Sequence, residues 1–254
     1  MFDETLLENF LPDELKEFLC IISQTEESPY LAYADDPIRF GEEVLGEFYT
    51  AEVMAVMQSV RDHRVTIARS ANAVGKTHSA ARLAVWGLLT HREAQIHTLA
   101  APPISNLETK LWGEIGSVVA QHGELFERYR MKRLHIERST LDFLHGVVIP
   151  AAGSDAEREA SVAGAHRGYI LYIVDEGDAV PEAVFRGIES CMSGADDHLL
   201  IMVNPRAPQG LVWEMEQEGR ANVVELSAFN HPNVIFGEQI IPGAVSRETT
   251  LRRV

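Results

Sequence analysis

The sequence predicts an α/β fold in which helices flank a central, mainly parallel sheet, and two features of its pattern support this class. First, short apolar runs alternate along the chain with segments of helical composition, as is typical of parallel strands joined by crossover helices. Second, the unbroken apolar runs at 169–174 and 199–203 end directly in polar residues. Buried strands of this kind present polar side chains at the sheet edge where open α/β folds bind ligands.

The individual elements follow from composition and periodicity. Predicted strands of the parallel sheet cover residues 64–69, 95–100, 169–174, 198–203 and 222–226. Predicted helices cover residues 51–61, 76–89, 104–121, 181–191 and 209–218. Residues 131–150 have the pattern of short antiparallel strands, and residues 141–150 are expected to form a hairpin that turns near His145 and Gly146.

The chain divides into three predicted regions. Residues 3–25 carry apolar residues at helical spacing with Pro12 between them, which predicts a small N-terminal helical extension or lid over residues 1–35. Residues 36–235 form the core, and residues 236–254 form a linker. A chain of 254 residues with 46% hydrophobic content can bury one large core.

Composition narrows the class of protein. Cys20 and Cys191 lie far apart, so they give neither a disulfide framework nor a metal-ligand spacing. No apolar stretch approaches the roughly 18 residues that span a bilayer, and the acidic start is unlike a signal peptide, so we expect an intracellular protein. The formal net charge is −16, and only four of the 22 basic residues are lysines, so tight duplex binding by the isolated chain is not expected.

Residues Ser70 to Thr77 read Ser-Ala-Asn-Ala-Val-Gly-Lys-Thr, a phosphate-binding loop whose usual first glycine is a serine. The context fits, because a β-branched run at 65–68 precedes the loop and an Ala- and Leu-rich helix at 78–89 follows it. Backbone N–H groups of such a loop surround the β- and γ-phosphates at a helix N-terminus. We therefore predict a nucleoside triphosphate site, the alternative being a fortuitous Gly-Lys-Thr at a helix start.

Each residue type of the loop has a role. Gly75 lets the backbone approach the phosphates, Lys76 places an ammonium group against their oxygens, and the hydroxyl of Thr77 is a ligand for Mg²⁺. The loop residues predicted to contact the nucleotide are Ser70, Ala71, Asn72, Ala73, Val74, Gly75, Lys76 and Thr77.

A second motif follows further along the chain. The run from Tyr169 to Val174 ends in Asp175 and Glu176, the form of a buried strand that delivers two acids, a Walker B element. Asp175 would hold Mg²⁺, partly through water, and Glu176 would activate the attacking water as a general base. Alone, the Asp-Glu pair fits a solvated turn equally well, and the upstream loop favours the catalytic interpretation.

The apolar run at 199–203 ends in Asn204 and Pro205. An amide at this edge can donate to the γ-phosphate and accept from the attacking water, so Asn204 is predicted to sense hydrolysis. The alternative is an Asx-Pro turn that closes the strand.

In this order the three elements resemble the ATPase domain of the large terminase subunit of tailed bacteriophages, the motor that packages DNA into a procapsid. Residues 36–46, the Ala-Pro strand end at 99–103, Gly164-Ala165-His166 and residues 230–247 are similar to further parts of that domain. The resemblance therefore extends over about residues 36–247.

The resemblance implies a RecA-like P-loop core of the ASCE type over residues 36–235, with ATP and Mg²⁺ as ligands and ATP hydrolysis coupled to translocation of double-stranded DNA. It also implies a ring on the portal protein, a monomer in solution, contact with the small terminase subunit, and a location in the host cytoplasm. Residues 236–254 would lead toward a nuclease domain that this chain lacks, so no DNA cleavage is expected.

Two departures from the family concern the nucleotide. Many members carry an arginine four residues before the loop lysine, where this chain has Asn72, and Arg69 is the candidate that could replace it as a nucleotide contact. The adenine-contacting glutamine of the family has no clear counterpart in residues 48–52, where Tyr49 and Glu52 occupy the region. Nucleobase recognition is therefore the least determined part of the site.

Residues 153–168 are polar and rich in small residues, and they are expected to form a mobile loop. Ring ATPases stabilise transition-state charge with a guanidinium group from a neighbouring subunit, and Arg158, ahead of Arg167, is the candidate for this trans-acting role. The alternative for both is a solvent-facing arginine. His166 is expected to be a structural hydrogen-bonding residue, because Glu176 already supplies the base.

The most basic stretch, residues 128–138, would place Arg130, Lys132 and either His135 or Arg138 on an exposed strand face, where a ring could use them as a channel lining. The alternative is a solvated face with surface ion pairs.

Two other functions stay open. A helicase or DNA-remodelling ATPase would need a second lobe, for which the chain after residue 205 is too short. An ATP-gated ring-assembly module, in which hydrolysis is incidental, would use the same site.

Overall fold

The computed structural model describes residues 28–164, 168–204 and 208–252. The predicted N-terminal helix at 3–25, and with it Cys20, lies outside the described residues, as do His166, Arg167 and Pro205. Within the described ranges, none of the helices is both long enough and apolar enough to cross a membrane.

The elements largely alternate as predicted. In chain order they are α1 (Pro37–Glu43), α2 (Ala51–Asp62), β1 (Val65–Ser70), α3 (Lys76–Thr90), β2 (Ala94–Ala100), α4 (Ser105–Thr109), α5 (Leu111–Gln121), β3 (Arg130–Lys132), β4 (His135–Ser139), β5 (Asp142–Gly146), α6 (Asp155–Val162), β6 (Tyr169–Asp175), α7 (Glu182–Cys191), β7 (Asp197–Val203), α8 (Leu211–Gln217), β8 (Asn222–Leu226), α9 (Pro232–Phe236) and α10 (Arg247–Leu251).

The strands form one eight-stranded sheet of order β3-β4-β5-β2-β6-β7-β1-β8. The strands from β5 to β8 pair in parallel, and β3 and β4 add antiparallel strands at one edge. Because β6, β7 and β1 are parallel neighbours, their carboxyl ends meet at the same edge of the sheet. The predicted α/β class with a mainly parallel, helix-flanked sheet is confirmed.

Both faces of the sheet are buried. On β6, Leu171 and Ile173 pack into a core shared with α2, α3 and α5, whereas Ile170, Tyr172 and Val174 pack into a second core shared with α7 and α8. Side chains alternate between the faces of a strand, so a continuous apolar run is what a strand covered on both faces requires.

The predicted hairpin at 141–150 is wrong. The turn instead lies between β4 and β5, where Ser139 pairs with Asp142, and β5 then joins the parallel sheet beside β2. Gly146 lies at a site of close packing and not in a turn, because a Cβ there would lie 3.0 Å from Trp112 Nε1 and 3.1 Å from Leu107 Cδ2.

Two further predictions need correction. The expected mobile loop at 153–168 contains helix α6, which begins with a capping box in which Ser154 and Glu157 bond to each other's backbone N–H groups. The predicted helix at 104–121 is two helices, because Lys110 (φ −96°, ψ −83°) departs from helical geometry between α4 and α5.

A buried arginine fixes the phosphate-loop helix to its neighbours. The side chain of Arg82 on α3 is 6% exposed; its Nε and Nη2 donate to Glu47 at 2.7–3.1 Å, and its Nη1 donates to Glu114 at 2.9 Å. Burial by itself would raise the pKa of Glu47, but the hydrogen bonds and the charge of Arg82 outweigh it, so this pKa is lowered. The segment before α2 is thereby held against α3.

We expect Arg82→Met to destabilise the fold by roughly 3–5 kcal/mol at pH 7, because it leaves Glu47 buried without a counter-charge. A group with a lowered folded-state pKa contributes stability above its unfolded pKa and loses that contribution as the pH falls through the folded value. The difference between wild type and variant should therefore shrink below about pH 4.5, the ordinary value for Glu47. Urea unfolding at several pH values measures both effects.

The control is Arg39→Met, since Arg39 and Glu43 form an ion pair with both side chains about half exposed. Exposed pairs contribute little, so this variant should unfold close to wild type at every pH. Equal losses in the two variants would contradict the importance of the buried arginine.

Candidate nucleotide-binding site

The predicted phosphate-binding loop connects β1 to α3. Ser70 is the last residue of β1, is buried, and donates from its hydroxyl to the Ala71 carbonyl at 2.6 Å. Because this position belongs to an extended strand, it does not need the conformational freedom of glycine. That explains why a serine is compatible with the loop.

The loop bends at two residues with positive φ, Ala73 (+60°) and Gly75 (+106°), immediately before α3 begins at Lys76. A Cβ at position 75 would lie 2.9 Å from Val53 Cγ2 on α2, so both conformation and packing require glycine there. The helix N-terminus that follows is a favourable place for an anion.

The ammonium group of Lys76 joins the ends of two strands. Its Nζ donates to Asn204 Oδ1 at 2.6 Å and to the Val203 carbonyl at 3.0 Å after β7, and it lies 3.5 Å from the Ser70 carbonyl at the end of β1. Burial lowers the pKa of Lys76, and the charge of Asp175 is the largest effect in the opposite direction. Asn204 therefore interacts directly with the loop lysine.

The two acids predicted to act together differ in their surroundings. Asp175, the last residue of β6, is 6% exposed and accepts a hydrogen bond from the backbone N–H of Glu176 at 2.9 Å. Burial raises its pKa. Glu176 has a left-handed backbone (φ +53°), a conformation that costs a non-glycine residue roughly 1–3 kcal/mol and that is concentrated at functional sites.

The Glu176 carboxylate is held by a residue that the sequence analysis missed. Lys110 Nζ donates to Glu176 Oε1 at 2.5 Å from the junction between α4 and α5. No motif marks this lysine, and a charged residue inside a predicted helix gives no sign of such a contact. The helix break at Lys110 brings it to the site.

These side chains line one cavity of about 520 Å³ at the carboxyl ends of the strands. Its lining comprises Phe48, Thr50, Val53, Asn72, Ala73, Val74, Gly75, Lys76, Thr77, His78, Lys110, Glu114, Asp175, Glu176, Asn204, His231, Ile241, Pro242, Gly243 and Ala244. The structure thus brings together the predicted loop residues 72–77, both acids and Asn204.

Two predicted arginines lie elsewhere. Arg69 donates to Glu216 Oε1 at 2.6 Å and to Glu225, and it lines a different cavity beside α8. Arg158 lies on α6, where its guanidinium group is 3.4 Å from the Ala151 carbonyl and 3.6 Å from Asp155. Neither arginine is among the residues that line the cavity at the phosphate loop.

The two candidates for nucleobase contact, Tyr49 and Glu52, are also not among the lining residues of the cavity. Tyr49 donates to Glu47 at 3.1 Å, and the carboxylate of Glu52 accepts from Ser227 N and Asn230 Nδ2. Their neighbours Phe48 and Thr50 line the cavity instead.

The basic stretch is a strand pair with ion pairs. Lys132 donates to Glu137 at 2.8 Å, Arg130 lies 3.6 Å from the same carboxylate, and Arg138 pairs with Asp142. Hydrogen bonds from Lys132 and His135 lower the pKa of Glu137 to about 2. The carboxylates offset much of the positive charge of this face.

The site fits Mg²⁺ bound together with a nucleotide. Among the described residues, no three His, Cys, Asp or Glu side chains come together as a metal site. Mg²⁺ in nucleotide sites, however, takes only one or two protein oxygens besides phosphate and water. Asp175 and Thr77 line the cavity as hard oxygen donors, and burial of Asp175 disfavours its charge in the absence of a cation.

The mainly parallel sheet, the phosphate loop between β1 and α3, and the acids that end β6 define the RecA-like class of P-loop folds. No family model matches the chain. A segment of 56 residues is 32% identical to a probable terminase large subunit of Enterobacteria phage P7, and it makes up 22% of this chain and 11% of that protein.

Three solved structures have the same fold. The large terminase of bacteriophage HK97 superposes with a TM-score of 0.60 at 15% identity, covering 87% of this chain and 50% of that one. The large terminase ATPase domain of Thermus phage P74-26 superposes with a TM-score of 0.53 at 23% identity, covering 69% of this chain and 71% of that one. The large terminase of a thermophilic bacteriophage in complex with ADP superposes with a TM-score of 0.54 at 16% identity, covering 70% of this chain and 45% of that one.

This chain spans about half the length of the HK97 protein and of the ADP-bound terminase. The resemblance drawn from the motifs is confirmed, since these three structures are large terminases, one of them an ATPase domain, and the matching curated protein is a probable terminase large subunit.

Proposed function

We propose that this chain is the ATP-hydrolysing motor domain of a viral DNA-packaging terminase, which translocates double-stranded DNA into a procapsid. The observation that carries the proposal is the convergence of Lys76, Thr77, Asp175, Glu176 and Asn204 on one cavity at the strand ends. The fold shared with the ATPase domain of phage P74-26 and with the ADP-bound terminase of the thermophilic bacteriophage supports it.

In the proposed mechanism, the triphosphate lies along residues 72–77 at the N-terminus of α3. The backbone N–H groups there and the ammonium group of Lys76 neutralise the phosphate oxygens. Thr77 and Asp175 would hold Mg²⁺, which supplies further neutralisation of phosphate charge when it is bound.

Hydrolysis requires a base aimed at the attacking water. Glu176 is the carboxylate at the site that is suited to this role, and its strained backbone holds it at the end of β6. In the structure its Oε1 accepts from Lys110. We infer that this ion pair competes with the attacking water for the carboxylate, so that opening it favours proton transfer to Glu176.

Asn204 would couple ATP hydrolysis to a conformational change. Its amide oxygen accepts from Lys76, so a phosphate that recruits Lys76 releases Asn204. Asn204, directly after β7, would then change its position with the nucleotide state, which is a population shift between two arrangements.

The assembly follows from the same proposal. The motor would form a ring on the portal protein, contact the small terminase subunit and act in the host cytoplasm. The isolated chain would be a monomer, and it would bind DNA weakly because its net charge is −16. Arg158, on the surface helix α6, is the proposed trans-acting residue, with Asp155 3.6 Å from its guanidinium group. No nuclease activity is proposed for this chain.

We expect wild-type protein with duplex DNA and portal to hydrolyse ATP, and Lys76→Ala and Glu176→Gln to lower kcat by about 100-fold or more. Binding should separate the two variants, because Glu176→Gln keeps the phosphate contacts and Lys76→Ala removes a principal one. Steady-state phosphate release and ATP titration measure these quantities, with Arg39→Ala, at a half-exposed ion pair outside the cavity, as control. A wild-type rate no higher than that of the variants under every condition would exclude the motor.

Lys110→Met tests the proposed restraint on the base. The ammonium group of Lys110 and the attacking water compete for Glu176, so we expect the variant to raise the rate of basal ATP hydrolysis by about three- to tenfold. This is a small part of the roughly 10²–10⁴-fold rate acceleration that a general base typically contributes. The control is Lys132→Met, which removes a lysine that pairs with Glu137 on the distant edge strands. A fall in the basal rate would show that Lys110 assists the reaction.

A further inference from the structure

One wall of the cavity comes from a part of the chain that the proposed mechanism does not use. Residues 241–244 line it together with the phosphate loop. We call residues 241–245 the strap. The sequence analysis assigned this segment to a linker, whereas the structure folds it over the site.

The strap is attached directly to the phosphate loop. The N–H of Val245 donates to the carbonyl of Ala73 at 2.9 Å, at the residue where the loop takes its first left-handed turn. Val245 itself is buried in the core that packs against α2 and α3.

A single buried amide holds both ends of the strap. Asn233 is 1% exposed; its Nδ2 donates to the carbonyls of Ile241 at 2.8 Å and Val245 at 3.1 Å, and its Oδ1 accepts from Ile241 N at 2.8 Å. Both N–H donors of this amide and one acceptor position of its oxygen are therefore used to fix the strap. Asn233 is a positioning residue for the cavity wall.

The surfaces that line this part of the cavity suit a flat ring with polar edges. Phe48 lines the cavity with 91% of its surface exposed, and Ile241 and Pro242 supply apolar side chains on the strap. In the strap, Gly243 is exposed, and its N–H group makes no hydrogen bond to the described part of the chain. A base can stack on an aromatic ring and bond to free backbone groups at its edge.

We propose that the strap and Phe48 form the nucleobase subsite of the cavity, with Asn233 holding the strap in place. The inference rests on the proposed nucleotide-binding function and identifies where the nucleoside part of the ligand is recognised. It accounts for the positions of Tyr49 and Glu52, whose side chains bond elsewhere.

The test compares ATP with inorganic tripolyphosphate, which carries the phosphates without a nucleoside, by calorimetric titration in the presence of Mg²⁺. Wild type should bind ATP more tightly. We expect Phe48→Ala and Asn233→Ala to weaken ATP binding about tenfold and to leave tripolyphosphate affinity within about twofold. Lys76→Ala should weaken both ligands, because it removes a phosphate contact.

The matched control is Phe236→Ala, since Phe236 is 66% exposed and is not among the lining residues of the cavity. Its ATP affinity should equal that of wild type. Hydrogen exchange gives a second measurement: the amides of residues 241–251 should gain more protection with ATP than with tripolyphosphate, which reaches the strap only through the phosphate loop. Phe48→Ala keeps the test informative if loss of the buried Asn233 prevents folding.

Three results would overturn the subsite. Equal losses of ATP and tripolyphosphate affinity in Phe48→Ala would show that the variant disturbs the phosphate loop and not base binding. Unchanged ATP affinity in Phe48→Ala would show that Phe48 does not bind the nucleobase. Wild type that binds tripolyphosphate as tightly as ATP would exclude the subsite while the phosphate site stands, whereas failure to bind either ligand would exclude the proposed function as well.

Discussion

The structure of the site depends on where the partly buried ammonium group of Lys76 finds its partners. An ammonium ion that loses part of its hydration needs oxygen acceptors, and those of Lys76 are the Val203 carbonyl and the Asn204 amide at the end of β7, with the Ser70 carbonyl at the end of β1 nearby. These acceptors converge only if β7 and β1 are parallel neighbours, as the sheet order provides. The same order places β6 beside β7, so Asp175 and Glu176 arrive at the same edge.

The charged residues of the site form hydrogen bonds with other groups of the site. Lys76 donates to Asn204, Lys110 donates to Glu176, and Asp175 accepts from a backbone N–H. A triphosphate brings several negative charges and competes for both lysines, so its arrival must rearrange these pairs together. The contacts between residues of the site therefore connect a bound nucleotide to α4 and α5 through Lys110 and to the end of β7 through Asn204.

The sequence was informative where function requires local patterns. The loop 70–77 and the apolar strands that deliver Asp175 and Asn204 are recognisable because their chemistry needs fixed residue types at strand ends. Lys110 and Gly146 were not recognisable, since a helix break and a close approach to Trp112 and Leu107 depend on residues distant in sequence. Arg69 was a candidate nucleotide contact because it directly precedes the loop. Its partners Glu216 and Glu225 lie on later elements, and the local sequence around Arg69 does not predict these contacts.

The strap follows from the same logic. Residues 241–245 have no helical or strand period, so composition describes them as a linker, yet Val245 bonds to Ala73 and Asn233 fixes both strap ends. The phosphate loop therefore has covalent neighbours in β1 and α3 and a hydrogen-bonded neighbour from the C-terminal part of the chain. A change in loop conformation on nucleotide binding must either carry the strap with it or break the bond at Ala73. In both cases the conformation of the segment that leads to α10 depends on whether the phosphate site is occupied.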